Sequence, residues 1–150
     1  LLKPNIFTTY FFMKTYIPTL TEKKEYKVLR VNLGDLYFFE KYLVTEFNEG
    51  ENVTFENFKE VAEAIKTRYG DRPIGFISNR INSYSIDLTD AELFNNAFPN
   101  VKAYAVIVHK PMTKQIFEIE NHFFKFNRKA FGNIKEAIEW VEDCLSDFTD

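Results

Sequence analysis

Apolar and polar residues alternate along the first part of the chain. In the segment 26–33, apolar side chains occupy every second position from Leu29 to Leu33, which is typical of a strand with one buried face. A Gly-Asp pair at 34–35 has the composition of a turn, and segment 36–47 is again rich in aromatic and β-branched residues. The pattern predicts two strands joined as an antiparallel hairpin.

Helical spacing begins after Thr54, which is a favourable residue for capping a helix. Apolar residues then recur three and four positions apart as far as Tyr69, and Gly70 stands where a left-handed terminator is expected. Two runs that are apolar on both sides of the pleat, Ile74–Ile77 and Val101–Val108, are typical of central strands in a parallel sheet.

Three further helices are indicated by their start residues. Thr89 and Glu92 match a capping box for a short helix that ends near Phe98. Pro111 suits the first turn of another helix, whose apolar stripe is expected to be Met112, Ile116 and Ile119. The last helix is predicted to be capped by Asn133 with Glu136, and its buried face is predicted to comprise Ile134, Ala137, Ile138, Val141 and Leu145.

A short strand is also predicted at His122–Phe126, so the predicted element order is β-β-α-β-α-β-α-β-α. This order indicates one α/β domain over residues 25–146, with a mixed, mostly parallel sheet and an antiparallel N-terminal hairpin. Residues 1–24 are interpreted as an N-terminal arm and 147–150 as a tail. Met13 is proposed as the natural start, which would place residues 1–12 upstream of it.

Composition excludes several classes of function. The 150 residues carry a formal net charge of −3, which does not suit a general binder of nucleic acid or of anionic membranes. The apolar run at 10–13 is far shorter than the roughly 20 residues of a membrane span, so none is expected. The single Cys144 fits a reducing compartment, and we expect a cytoplasmic protein. Neither His109 nor His122 has partners at metal-ligand spacing, so no metal site or cofactor is predicted.

Polar residues gather where the strand Ile74–Ile77 is predicted to end. In an α/β sheet, ligands bind beyond the carboxyl ends of neighbouring parallel strands, and the end of Val101–Val108 is expected at the same edge. Arg80 and free N–H groups at a helix start could hold a phosphate or carboxylate there. The candidate binding residues at this edge are Ser78, Asn79, Arg80, Asn82, Ser83, Tyr84, Ser85, His109 and Lys110.

Each candidate has a structural alternative. The 78–85 loop can satisfy its own backbone through Asn and Ser side chains, and His109 can simply face water. Ser83 and Ser85 are candidate phosphoacceptors, since a phosphate there could pair with Arg80 or cap the following helix. Cys144 lies among acidic residues, which raise the pKa of a thiol and argue against a nucleophile.

Aromatic residues leave two interpretations open. Five aromatic residues lie on the predicted hairpin, namely Tyr37, Phe38, Phe39, Tyr42 and Phe47. Their rings could form an exposed surface for a partner or a dimer, or they could belong to the ordinary core. In segment 122–131, basic residues alternate with aromatic residues, which would suit stacking on the bases of single-stranded nucleic acid. A strand with its Phe side chains inward and its Lys and Arg side chains outward explains the pattern as well.

Two segments, 76–85 (FISNRINSYS) and 136–141 (EAIEWV), together with the element order, resemble the SpoIIAA-like branch of the STAS superfamily over residues 25–146. The resemblance implies a small mixed sheet with helices packed on it, and in anti-sigma-factor antagonists of this type a serine after a central strand is phosphorylated. Their motif there reads Asp-Ser, a small residue and Gly, whereas this chain has neither the Asp-Ser pair nor the glycine. Relatives with a SEC14-type label are suggested to bind lipids or small hydrophobic ligands.

The sequence therefore favours a non-enzymatic regulatory module that binds a protein partner, or a second copy of itself, through the 78–85 loop and the helix from Asp90 to Phe98. A second hypothesis is a carrier of a small molecule or lipid, with an apolar pocket between sheet and helices. A third is an enzyme that uses Arg80 and His109.

Overall fold

A computed structural model describes the backbone of residues 8–10 and the whole of residues 25–148. Within 25–148, six strands form one mixed sheet, and a three-residue strand at Thr8–Tyr10 (β1) pairs antiparallel with its edge. The six are Tyr26–Val31 (β2), Gly34–Phe38 (β3), Tyr42–Phe47 (β4), Ile74–Arg80 (β6), Val101–Val108 (β8) and Arg128–Phe131 (β9). Met13, the proposed start, lies outside the described residues.

The strand order across the sheet is β1-β2-β3-β4-β6-β8-β9. Strands β2, β3 and β4 pair antiparallel, whereas β4, β6, β8 and β9 pair parallel, so the predicted mixed α/β sheet is confirmed. Two short strands, Asn52–Val53 (β5) and Ser85–Ile86 (β7), form a separate parallel pair. The helices are Lys59–Tyr69 (α1), Ala91–Ala97 (α2), Pro111–Glu120 (α3) and Ile134–Ser146 (α4). None of them is long and apolar enough to cross a membrane.

The N-terminal hairpin is a three-stranded meander, because the chain reverses twice. The predicted strand at 36–47 is interrupted at residues 39–41, where the Phe39 N–H donates to the Tyr42 carbonyl at 2.9 Å. Gly34 is the first residue of β3, and the turn lies just before it. Both differences shift strand boundaries but leave the antiparallel arrangement as predicted.

Two helix starts differ from expectation. Thr54 and Asn57 exchange side-chain-to-backbone hydrogen bonds at 2.8 and 3.0 Å, but they close a turn, and α1 begins only at Lys59. The capping box of Thr89 does not form, because Thr89 lies in a 3₁₀ turn at Leu88–Asp90 and its N–H and hydroxyl donate to the Asp87 carboxylate. At the other end of α1, the helix ends at the predicted position, where Gly70 adopts a positive φ of 61°.

The predicted stripe of α3 is wrong, as is the strand at His122–Phe126. Met112 and Ile119 are 62% and 55% exposed, whereas Phe117 and Glu120 form the buried side of the helix. The pattern failed because a charged residue, Glu120, occupies the inner face. Residues 122–126 form a turn and an irregular segment, and the strand begins at Arg128.

Helix α4 follows the prediction closely. The Asn133 side chain accepts a hydrogen bond from the Glu136 N–H at 2.9 Å. All five residues of the predicted face are buried, namely Ile134, Ala137, Ile138, Val141 and Leu145. This helix packs on one side of the sheet, the α4 face, and α1 and α2 pack on the other, the α1 face.

The aromatic residues of the meander belong to the core. Their exposed fractions lie between 0% and 3%, so the surface-patch interpretation is wrong for Tyr37, Phe38, Phe39, Tyr42 and Phe47. They divide between the two faces by their position in the pleat: Phe38 and Phe47 join the α1 face, and the other three join the α4 face.

Gly75 allows α4 to approach the sheet closely. A Cβ at this position would lie well inside contact distance of Val141 Cγ1 and 3.3 Å from Tyr42 Cβ. The contacts come from the core of α4 and from the neighbouring strand, so neither can move without disturbing packed groups.

We expect Gly75→Ala to lower the free energy of unfolding by about 1–3 kcal/mol through overpacking, measured by urea denaturation. Adding Val141→Ala should recover part of this loss, because it removes the methyl group that the new Cβ meets. Gly132→Ala is the matched control, since nothing lies within 4 Å of its added Cβ. Equal effects of the two glycine substitutions would contradict this account.

Candidate functional site

Strand β6 continues three residues further than predicted, and this changes the expected loop. Ser78, Asn79 and Arg80 are strand residues with exposed fractions of 0%, 1% and 3%. The prediction that the polar loop begins at residue 78 is therefore wrong for these three residues, which belong to β6. Burial of such polar groups requires hydrogen-bond partners. The partners of Asn79 and Arg80 come from segments distant in the chain, whereas Ser78 pairs with Tyr84 in the following loop.

On the α4 face, Asn79 lies at the centre of a polar chain. Its Nδ2 donates to Glu46 Oε2 at 2.9 Å, and its Oδ1 lies 2.8 Å from His109 Nε2. Since Asn79 uses its amide nitrogen on the carboxylate, its oxygen accepts from His109, which fixes the proton on Nε2. The Tyr37 hydroxyl donates to the other oxygen of Glu46 at 3.1 Å.

The pKa values of this chain follow from burial. Burial lowers the pKa of the His109 imidazole, which favours its neutral form. Burial, followed by the negative charge of Glu46, raises the pKa of the Tyr37 hydroxyl far above its ordinary value. Tyr37 therefore remains a hydrogen-bond donor at neutral pH.

On the α1 face, three charged residues form a buried cluster, the Arg-Glu-Arg cluster of Arg80, Glu120 and Arg128. One carboxylate oxygen, Glu120 Oε1, accepts from Arg80 Nη2 and from Arg128 Nη2, each at 2.8 Å. All three side chains are only 2% exposed. The cluster joins β6, the end of α3 and the start of β9.

Aromatic rings surround the two guanidinium groups. Arg80 lies 4.9 Å from the ring centre of Tyr84, and Arg128 lies 4.6 Å from that of Tyr104. Burial alone would lower the pKa of Arg80, but Tyr84 and Glu120 raise it above its ordinary value, so the guanidinium stays charged. Burial raises the pKa of the Tyr84 hydroxyl, which pairs with the Ser78 hydroxyl.

The remaining loop is short and its polar contacts are at the surface. Asn82 Nδ2 donates to the Phe47 carbonyl at 2.8 Å, and the Ser83 N–H donates to the Glu49 carboxylate at 2.9 Å. Ser83 and Ser85 are exposed. Lys110 Nζ lies 3.2 Å from Ser83 Oγ, and Ser85 Oγ donates to Asn52 at 2.8 Å.

The strand ends converge as predicted, but the candidate residues do not form one site. β6 and β8 pair in register as far as Arg80 and Val108, which brings His109 to Asn79 and Lys110 to Ser83. Arg80 is directed to the opposite face from Asn79, because successive side chains alternate across a strand. A single ligand therefore cannot contact Arg80, His109 and Lys110 together. The expectation that these three residues share one site is wrong.

A cavity of about 50 Å³ lies on the α1 face between the sheet and the helices. Its wall is apolar and largely aromatic, and includes Phe58, Phe76, Tyr84, Phe94, Tyr104 and Phe124. Ile86, Phe98 and Phe126 are half-buried parts of the same wall. The arrangement agrees with the apolar pocket of the second hypothesis.

Sequence reasoning missed Glu46, Glu120 and Arg128 as members of these networks. A single charged residue within an apolar strand, such as Glu46 in β4, was the one available sign. Cys144 is half-buried, and burial together with nearby carboxylates raises the pKa of its thiol, as predicted. Residues 25–148 contain no group of three metal-ligating side chains.

The strand order and the helices on both sides of the sheet define a small α/β domain of mixed topology. Among solved structures, the chain is similar to an uncharacterized protein of the DUF3478 family from Shewanella loihica PV-4, which is described as having a SpoIIAA-like fold. The two share 14% identity, the match covers 93% of this chain and 98% of the other, and the TM-score is 0.49. No family model matches the chain, and no curated protein matches it.

Removing the shared carboxylate should destabilise the fold more than removing one arginine. We expect Glu120→Gln to cost about 3–5 kcal/mol, because it leaves two buried cations without a counter-charge. Arg80→Gln should cost about 1–3 kcal/mol, since a one-to-one pair of Glu120 and Arg128 remains. Urea denaturation measures both, with Glu118→Gln on the exposed side of α3 as the control. Similar losses for the two glutamate variants would show that the buried cluster is not required.

Proposed function

We propose that the protein is a non-enzymatic cytoplasmic module that binds the apolar end of a small ligand in the cavity on the α1 face. The observation that carries the proposal is the cavity itself, whose wall is apolar and largely aromatic. An unfilled apolar cavity lacks contacts that a ligand can supply.

The volume limits what can enter. One water-sized sphere needs roughly 10–15 Å³ of such space, so about 50 Å³ corresponds to roughly three to five water-sized spheres. This size favours a short or branched alkyl group over a whole aromatic ring. The half-buried Ile86, Phe98 and Phe126 lie where the rest of a larger ligand would reach the surface.

The neutral probe 3-methylbutanamide tests the cavity. Its branched alkyl end matches the available volume, and we expect saturable shifts of the amide NMR signals of residues around the cavity. Ile86→Phe should weaken binding at least tenfold, because the larger side chain fills space at the cavity wall. Ile116→Phe is the matched control, since Ile116 is also half-buried but does not line the cavity.

Two results would contradict the proposal. One is the absence of saturable shifts in the native protein. The other is equal affinity of the two Ile→Phe variants, which would locate the probe elsewhere.

A second candidate function is binding of a protein partner through the loop 81–85 and α2. The observation that favours it is Leu93, a large apolar side chain that is 50% exposed on α2. Ser83, exposed beside Lys110, lies on the loop that leads to this helix. We propose Ser83 rather than Ser85 as a phosphoacceptor, because a phosphate there would meet the ammonium group of Lys110.

If α2 binds a protein partner, a charged substitution should prevent capture of that partner only when it lies on this surface. Leu93→Asp should abolish capture of a specific protein from a lysate of the native host, because a charge would be placed in an apolar contact. Phe148→Asp is the control, since Phe148 is 46% exposed near the C-terminus. Mass spectrometry identifies the captured proteins. If both variants capture the same proteins, the partner function of this surface is wrong.

A further inference from the structure

The Arg-Glu-Arg cluster carries one more positive than negative charge. Arg80 and Arg128 each pair with Glu120, and within residues 25–148 neither makes another ion pair. A buried charge without a counter-charge is costly, and it attracts any anion that can reach it. The other polar contact of Arg128 is to a neutral amide, Asn121 Oδ1, at 2.6 Å.

Both guanidinium groups also retain a buried donor that finds no acceptor. Neither the Nε–H of Arg80 nor that of Arg128 has a hydrogen-bond partner among the described residues. Ring faces compensate part of the charge but cannot replace a hydrogen-bond acceptor. The cluster therefore lacks both negative charge and acceptor atoms.

The unbalanced cations lie immediately behind one wall of the cavity. Tyr84, Tyr104 and Phe124 line the cavity, and the same three rings are in contact with the guanidinium groups. The distances to the ring centres are 4.9 Å from Arg80 to Tyr84, and 4.6 and 5.2 Å from Arg128 to Tyr104 and Phe124. The Tyr84 hydroxyl already pairs with the Ser78 hydroxyl, so what attracts an anion to this wall is the unbalanced positive charge behind the rings.

We propose that the cavity selects a carboxylate ligand, namely a short, branched-chain monocarboxylate whose negative charge lies at the wall formed by Tyr84 and Tyr104. This inference rests on the proposed function of the cavity and adds the chemical class of the ligand. The alkyl end fills the apolar space. The carboxylate supplies the missing counter-charge. To contact the Nε–H groups, it displaces the aromatic rings that separate the cavity from the guanidinium groups.

A matched pair of probes separates the charge from the shape. At pH 7, 3-methylbutanoate should bind at least tenfold more tightly than the nearly isosteric 3-methylbutanamide, measured by NMR titration of the native protein. With a ¹³C-labelled carboxyl group, the pKa of bound 3-methylbutanoate should fall below that of the free acid. Burial without a nearby cation would raise it instead.

Two variants test whether the preference for the carboxylate comes from the Arg-Glu-Arg cluster. Arg80→Gln leaves a neutral pair of Glu120 and Arg128, so the carboxylate should bind this variant no more tightly than the amide does. Arg72→Gln makes the same charge change at an exposed position outside the cavity wall and should keep the preference.

The outcomes distinguish the two proposals. If the amide binds and the carboxylate binds no more tightly, the carboxylate inference is wrong and the cavity function stands. If neither probe binds, both are wrong. Should Arg80→Gln fail to fold, the pKa of the bound carboxyl group in the native protein still decides, because a raised value overturns the inference.

Discussion

The carboxylate of Glu120 joins β6, α3 and β9 through two buried ion pairs, and the arrangement of the α1 face depends on it. Arg80 is 40 residues away along the sequence and Arg128 is 8 residues away. Because both arginines must reach one oxygen, α3 packs with Glu120 inward, and Met112 and Ile119 consequently face outward. The same contact holds the Arg80 side chain in the interior, against the ring of Tyr84, so that a positive charge lies beside an apolar cavity.

Elements with strong local patterns could be predicted from the sequence. Val101–Val108 is apolar except for Lys102, and β8 has the bounds that the pattern indicates. Helix α4 has a cap and a regular apolar face, and both are present in the structure. These features were predictable because neighbouring residues determine them: a cap acts over three residues, and a helical face repeats every three or four.

The end of β6 was not predictable in this way, because its stability comes from distant residues. Ser78, Asn79 and Arg80 have the composition of a loop, but Asn79 bonds to Glu46, 33 residues earlier, and Arg80 to Glu120. No local pattern in the sequence indicates such pairs. Their burial also changes the balance between the functional hypotheses, since it removes three candidate residues from the surface and leaves the cavity as the better-defined site.

The small parallel pair of β5 and β7 has a consequence for how a ligand would enter and leave. Val53 and Ile86, one from each strand, belong to the cavity wall. The pair comprises only two residue positions, with backbone hydrogen bonds such as Ser85 N–H to the Glu51 carbonyl at 3.0 Å and Asp87 N–H to the Val53 carbonyl at 2.8 Å. So few bonds separate by local opening at far lower cost than global unfolding. A ligand would therefore enter and leave by separation of β5 and β7, while the seven residue pairs between β6 and β8 remain intact.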